Sequence, residues 1–222
     1  MDKGTVIITG ASSGIGLAIG KELENCGYHI INISRHPSPF ENMTYDLSDA
    51  SQLDAVLCDL LAMFDEEKIE FLINNAGVMP IKTDSLELFE EVISTNLRPA
   101  YALSCALAPI ISGGIINISS VSAKKCASKG DSVAYGISKS GLCTLTNYLA
   151  FKYPELCVNT ILPGFISPTN LVPGETPQEL INTIPMGYEG NVNDIATLVS
   201  YLAVEGRYIT GQEIAVDGGL SL

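Results

Sequence analysis

Thr5-Val6-Ile7-Ile8-Thr9-Gly10-Ala11-Ser12-Ser13-Gly14-Ile15-Gly16 is the stretch that decides the fold. Thr5–Thr9 is a short β-branched, apolar run, the pattern of a strand covered on both faces. The Gly/Ser-rich turn behind it opens a segment, Gly14–Cys26, with helical spacing. Glycines at such a junction permit a tight turn and close backbone approach, and the free N–H groups of a helix start suit a pyrophosphate. The spacing is Gly-x3-Gly-x-Gly rather than the more familiar Gly-x-Gly-x-x-Gly. A plain polar turn is the alternative, but the position at the first strand–helix junction favours the nucleotide reading.

Outward from that junction, strand and helix signals alternate. Strand-length apolar runs lie at Thr5–Thr9, His29–Ile33, Glu70–Ile73, Gly114–Ile118, Cys157–Leu162 and Glu213–Val216. Helical spacing occupies Gly14–Cys26, Ala50–Phe64, Leu86–Ala108, Val133–Tyr153 and Asn193–Val204. Alternation of this kind predicts an α/β fold with a doubly wound parallel sheet and right-handed crossovers. The 222 residues suffice for a single domain spanning 1–222. The Pro-rich stretch Pro163–Gly190 is read as one long excursion at the C-terminal edge of the sheet, where ligands bind in such folds.

Composition excludes several classes. Apolar residues make up 46% of the chain, so it is globular. Twelve basic against 25 acidic residues give a net charge of −13, which disfavours nucleic acid and anionic membrane as partners. No apolar run approaches the ~20 residues of a membrane helix, and the start shows no secretory pattern, so a cytoplasmic location is expected. The six cysteines, Cys26, Cys58, Cys105, Cys126, Cys143 and Cys157, form no C-x-x-C, so neither a disulfide scaffold nor a metal site is expected. Neither His29 nor His36 has the setting of a catalytic base.

Tyr135 and Lys139 lie four residues apart in Val133-Ala134-Tyr135-Gly136-Ile137-Ser138-Lys139. On a helix they share a face, which sets an ammonium beside a phenol, and a nearby positive charge favours the phenol's anion. The pair alone is an ordinary helical spacing. It stands, however, with Asn74-Asn75-Ala76-Gly77, Asn96 in Ser94-Thr95-Asn96-Leu97, Asn117-Ile118-Ser119-Ser120, Pro163-Gly164, Tyr208-Ile209-Thr210-Gly211-Gln212 and Val216-Asp217-Gly218-Gly219. In this order, and together with the glycine turn, they resemble the short-chain dehydrogenase/reductase family from Thr5 to Gly219.

The resemblance implies a Rossmann fold and an oxidoreductase acting on a small carbonyl or alcohol with a nicotinamide cofactor. Tyr135 is implied as general acid and base, and Lys139 as the group that lowers its pKa and binds the nicotinamide ribose. Ser120 is implied as the donor to the substrate oxygen, and Asn96 as support for a water relay. Ser120 lies fifteen positions before Tyr135, longer than is usual in the family. Either the loop carries an insertion or Ser122 is the hydroxyl; Ser120, directly after the strand, is preferred. The implied cofactor contacts are Gly10, Ser12, Ser13, Gly14, Ile15 and Gly16; Ser34 and Arg35; Asp46 and Leu47; Asn75, Ala76 and Gly77; Tyr135 and Lys139; and Pro163, Gly164 and Ile166.

An acid at the end of the second strand would select NAD(H). Ser34 and Arg35 stand there instead, and a guanidinium pairs with phosphate, so NADP(H) is the expected cofactor, with NAD(H) still possible. Asp46 is an adenine contact by resemblance, or a helix cap, as is Ser48. Only ten residues separate Arg35 from Asp46, and Pro37 and Pro39 are among them. No helix fits there, so a short loop and an exposed adenosine end are expected. Val78-Met79-Pro80, Val121-Ser122, Phe165 and Ile166–Tyr188 form the expected substrate rim. Lys124, Lys125, Lys129 and Lys139 are a local basic cluster that either faces an anion or is simply solvated. The leading function is carbonyl reductase or alcohol dehydrogenase. The alternatives are a 3-oxoacyl carrier-protein reductase and a non-catalytic dinucleotide-binding regulator. Tyr101, Leu103, Leu107, Leu142, Leu145 and Leu149 exceed one buried stripe, which predicts a homodimer or homotetramer.

Overall fold

The computed structural model describes residues 3–64, 68–80, 85–125, 132–169, 171 and 176–222. In chain order the elements are β1 Thr5–Thr9, α1 Gly14–Asn25, β2 His29–Ser34, β3 Glu41–Thr44, α2 Ala50–Met63, β4 Ile69–Asn74, α3 Leu86–Asn96, α4 Arg98–Leu107, β5 Ile111–Ile118, α5 Val133–Lys152, β6 Cys157–Pro163, β7 Ile166–Ser167, α6 Gln178–Ile181, β8 Gly190–Asn191, α7 Val192–Val204 and β9 Glu213–Val216. Seven strands form one parallel sheet in the order β3-β2-β1-β4-β5-β6-β9. The order reverses between β1 and β4, and that switch point opens a crevice at the C-terminal strand ends.

Strand alternation divides the core. Ile7, Ile31, Leu72, Ile115 and Val158 point to one face, under Leu53 and Leu60 of α2, Leu103 and Leu107 of α4, and Leu142 and Leu149 of α5. Val6, Ile8, Ile30, Ile73, Ile116 and Ile161 point to the other, under Ile19 and Leu23 of α1 and Ile195, Val199 and Leu202 of α7. The fold class read from the sequence is the one observed, and the strand runs match β1, β2, β4, β5, β6 and β9 to within a few residues.

Two segments differ from expectation. The helix expected over Leu86–Ala108 is two helices, broken at Leu97. Pro99, in the first turn of α4, has no N–H and its ring clashes with the carbonyl four residues back, so α3 cannot run on through it. Between Arg35 and Asp46 there is no helix, as expected, but the segment also contains the four-residue strand β3, paired in parallel with β2. A parallel return normally carries a helix. Right-handed crossovers that step the same way along the sheet, as β1 to β2 and β2 to β3 do, lie on one face, so that helix would sit beside α1. Phe40, 7% exposed, takes the place. Its ring lies where a side chain on Gly20 of α1 would go, 2.4 Å from an ideal Cβ.

Truncating this plug leaves a hole under α1. Phe40→Ala is expected to destabilise the protein by about 3–5 kcal/mol in urea unfolding. Gly20→Ala should destabilise the native protein through the clash, but stabilise the Phe40→Ala background, where the methyl finds space and favours the helix. Gly20→Ala effects of equal sign in both backgrounds would refute this packing.

Candidate active site

One cleft of about 970 Å³ opens at the switch point. Its floor begins with the turn after β1. Gly10 has φ +74° and Gly14 φ +54°, conformations that disfavour any side chain. At Gly16 a Cβ would lie 2.4 Å from both the Gly10 carbonyl oxygen and the Asn75 side chain. The turn is locked to the end of β4. Asn75 Nδ2 donates to the carbonyls of Thr9 (2.9 Å) and Gly10 (3.1 Å), and the N–H groups of Asn75 and Ala76 donate to Thr9 Oγ1 (2.9 and 3.0 Å). Ser13 precedes α1 in extended conformation and its side chain does not cap the helix, so it does not compete for the N–H groups of the helix start, which suit an anion. Gly10, Ser12, Ser13, Gly14, Ile15 and Gly16 all line the cleft, as do Asn75, Ala76 and Gly77. A pyrophosphate-bearing dinucleotide therefore fits this cradle.

On the β2 side, Ser34, Arg35, Asp46 and Leu47 line the same cleft. The Arg35 guanidinium lies 3.9 Å from Asp46, with the Arg35 side chain 61% exposed. The Ser48 hydroxyl and N–H donate to Asp46 Oδ1 (2.6 and 2.9 Å), and with Arg35 they hold the carboxyl below its usual value. The cap reading of Asp46 and Ser48 is corrected by the geometry. The N-cap of α2 is Asp49, which accepts from the N–H groups of Ser51 and Gln52. His36 and Tyr45 also line the cleft and were not anticipated. Their signal was position alone, His36 two residues beyond β2 and Tyr45 next to Asp46.

Helix α5 brings Tyr135 and Lys139 to the cleft, both buried. Lys139 Nζ donates to the Ile118 carbonyl (3.0 Å) at the end of β5 and sits 5.6 Å from the centre of the Tyr135 ring. Burial pushes its pKa down to about 8. Ser119, Ser120 and Ser122 all line the cleft. They differ in their bonds: Ser119 Oγ is committed to the Lys139 carbonyl (2.8 Å), whereas Ser120 Oγ accepts the Ser122 N–H (3.2 Å). Asn96 is set apart. It ends α3 and does not reach the cleft wall; its amide pairs with both backbone groups of Val78 (2.8 and 2.9 Å) and donates to Ser138 Oγ (3.2 Å). Gly77 leaves the space between them open, since a Cβ there would lie 3.3 Å from both Asn96 Oδ1 and Lys139 Nζ.

The far end of the cleft is lined by Pro163, Gly164, Phe165 and Ile166, by Val78, Met79 and Pro80, and by Leu220 near the C-terminus. Leu220, buried with Val121, Leu162 and Ile184, was missed because a lone terminal leucine has no periodic context. The basic cluster does not form one patch. Lys139 is interior, Lys124 lies 3.8 Å from Glu213, and Lys129 falls outside the described residues. The apolar residues offered as a second buried face are also reassigned. Leu103, Leu107, Leu142, Leu145 and Leu149 all belong to the chain's own core, and only Tyr101 of that set is exposed. Among the described residues no helix is long and apolar enough to cross a membrane.

The chain matches the family model described as enoyl-(acyl carrier protein) reductase over residues 10–221. It is 32% identical to a tropinone reductase homolog of Arabidopsis thaliana, covering 98% of this chain and 90% of that one. It is likewise 32% identical to a 3-oxoacyl-[acyl-carrier-protein] reductase of Rickettsia bellii, covering 97% and 96%. Among solved structures it superposes on a blue fluorescent protein from a metagenomic library, in complex with NADPH, with TM-score 0.88, 28% identity and coverage of 100% and 99%. With matches over nearly its whole length and the glycine turn, Tyr135 and Lys139 gathered on one cleft, this chain belongs to the short-chain dehydrogenase/reductase family of oxidoreductases.

Proposed function

We propose that the protein is an NADP(H)-dependent carbonyl reductase or alcohol dehydrogenase in which Tyr135 moves the proton. The observation that carries this reading is the buried Lys139 ammonium, fixed on the Ile118 carbonyl one helical turn from Tyr135, in a cleft continuous with the glycine turn. The nicotinamide, when bound, supplies or accepts the hydride. In the reductive direction Tyr135 gives its hydroxyl proton to the substrate oxygen, and Lys139 stabilises the negative charge left behind. Ser120 donates its hydroxyl to the same oxygen. Asn96 acts at one remove, positioning the Val78 segment and, through Ser138, the turn of α5 that carries Tyr135.

Arg35, with no acid at the end of β2, favours a dinucleotide carrying a 2′-phosphate; the NADPH held by the metagenomic relative supports this. The Rickettsia relative favours a second reading, a 3-oxoacyl thioester as the carbonyl. Two exposed faces, at Tyr101 on α4 and at Tyr148 and Phe151 on α5, support a homo-oligomer better than the leucines first considered.

Three outcomes are expected. NADPH oxidation across a panel of ketones and oxoacyl thioesters should show turnover, and Tyr135→Phe should lower kcat/KM about 10²–10⁴-fold with cofactor binding retained; unchanged turnover in the variant would remove Tyr135 from the chemistry. Because Lys139 acts as a cation and titrates near pH 8, kcat/KM for the cofactor, which reports the free enzyme, should fall as pH rises through about 8. The same burial sets a sign for stability. Between pH 8 and the ordinary lysine value of 10.5 the unfolded chain holds a proton that the native chain lacks, so stability rises with pH in that window. Lys139→Met should therefore unfold at higher urea than the parent at pH 7, by up to about 3 kcal/mol, with the difference shrinking towards pH 10.5. A difference independent of pH would show that the native amine is not destabilised by burial.

A further inference from the structure

The loop that takes the place of the missing helix is held by two asparagine side chains. Asn32, in the middle of β2, is fully buried. Its neighbours Ile31 and Ile33 face α2, so Asn32 faces the α1 side, where the missing helix would have lain. Its Oδ1 accepts the Ala11 N–H of the glycine turn (2.8 Å). Its Nδ2 donates to Ser34 Oγ (3.0 Å) and to Asn42 Oδ1 (2.9 Å). A backbone N–H can only donate, so the bond from Ala11 fixes which way this amide points.

Asn42, on β3, continues the connection. Its Oδ1 also accepts from Ser38 N–H (2.9 Å) and Ser38 Oγ (2.8 Å), and its Nδ2 donates to the carbonyls of Ser38 (3.1 Å) and Phe40 (2.5 Å). The Ser38 N–H and the two carbonyls fix its orientation in the same way. Ser34 Oγ, which receives the Asn32 proton, passes its own to the His36 carbonyl (2.7 Å). Residues 34–40 thus hang on an unbroken set of bonds that ends on the backbone of the phosphate turn. Arg35 and His36 are the residues of this loop that face the cleft beside Ser34. Among the described residues the side-chain anchor of Arg35 is Asp46 at 3.9 Å, so the loop backbone decides where its guanidinium lies.

We propose that Asn32 and Asn42 are positioning residues for cofactor specificity, joining the loop that carries Arg35 to the turn that holds the pyrophosphate. This rests on the NADP(H) reading above. Neither residue lines the cleft. Asn42 governs only the loop, and its loss weakens recognition of a 2′-phosphate while leaving the rest of the dinucleotide site intact. Asn32 governs both ends, and its loss weakens any dinucleotide.

The test is direct titration of the intact protein with NADPH and with NADH, alongside limited trypsin digestion of the cofactor-free protein, following the Arg35–His36 bond by mass spectrometry. Asn42→Ala should raise the Kd for NADPH about 10-fold, the scale of one or two net hydrogen bonds, and change that for NADH less than about 2-fold. Cleavage after Arg35 should be several-fold faster than in the parent. Asn32→Ala should raise both Kd values. Ser38→Ala, a change at a half-buried position that removes one bond to Asn42 and the acceptor of the Phe40 N–H, should shift the NADPH/NADH ratio in the same direction by a smaller factor, and it decides the matter should Asn42→Ala fail to fold. An unchanged ratio together with an unchanged cleavage rate would overturn the proposal. A parent protein that binds NADH more tightly than NADPH would overturn the NADP(H) reading instead, and the coupling would then stand or fall on the cleavage rate and on the loss of both cofactors in Asn32→Ala.

Discussion

A cation withdrawn from water is the constraint around which this molecule is arranged. Isolated ammonium groups resist burial strongly, yet Lys139 is enclosed and has the Ile118 carbonyl as its hydrogen-bond acceptor. That placement requires β5 to end at this depth, α5 to cross it with a lysine facing inward, and Gly77 to leave room beside Asn96. The bond from Ser119 to the Lys139 carbonyl fastens the same helical turn to the strand end. Each is a condition on the backbone, so the site cannot be shifted without moving the sheet and the helix together.

The glycine turn and the tyrosine–lysine pair lie far apart in sequence, and the switch point unites them. Thr9 and Asn75 make the junction. One threonine hydroxyl receives two N–H groups from the end of β4, and one asparagine amide holds the successive carbonyls of Thr9 and Gly10 where the strand enters the turn. The phosphate cradle and the reaction end are therefore parts of one rigid surface and not two loops brought together by chance.

How much of this was legible in the chain depended on whether the signal was local. Thr5–Gly16 announces both a strand and a turn because β-branched residues and glycines act at the positions where they stand. The strand–helix alternation carried the parallel, doubly wound class of the sheet, while its strand order came from the structure. Asp49 was overlooked as the cap of α2 because Asp46, Ser48 and Asp49 are all competent acceptors, and only the entry path of the backbone chooses among them. The break at Leu97 was available in Pro99 but was outweighed by an apolar pattern running past it. The strand β3 was hidden because Glu41-Asn42-Met43-Thr44 has little apolar content: it is held by an asparagine pair and by its neighbour β2. The leucines of α4 and α5 suggested a partner because sequence cannot say how many sides of a helix the fold itself will cover.

The order of the sheet has a further consequence, for behaviour in crowded solution. Its two outer strands, β3 and β9, are only four residues long and each begins with a glutamate, Glu41 and Glu213. Open strand edges invite pairing with other chains, and short, charged edges resist it. No helix lies between β2 and β3 to screen one of these edges. Pro37 and Pro39 just before it, neither able to donate to a foreign strand, and the carboxylate of Glu41, bound to His29 at 3.1 Å, guard it in place of that screen. The short crossover thus ends in a brief, charged border that resists pairing with another sheet.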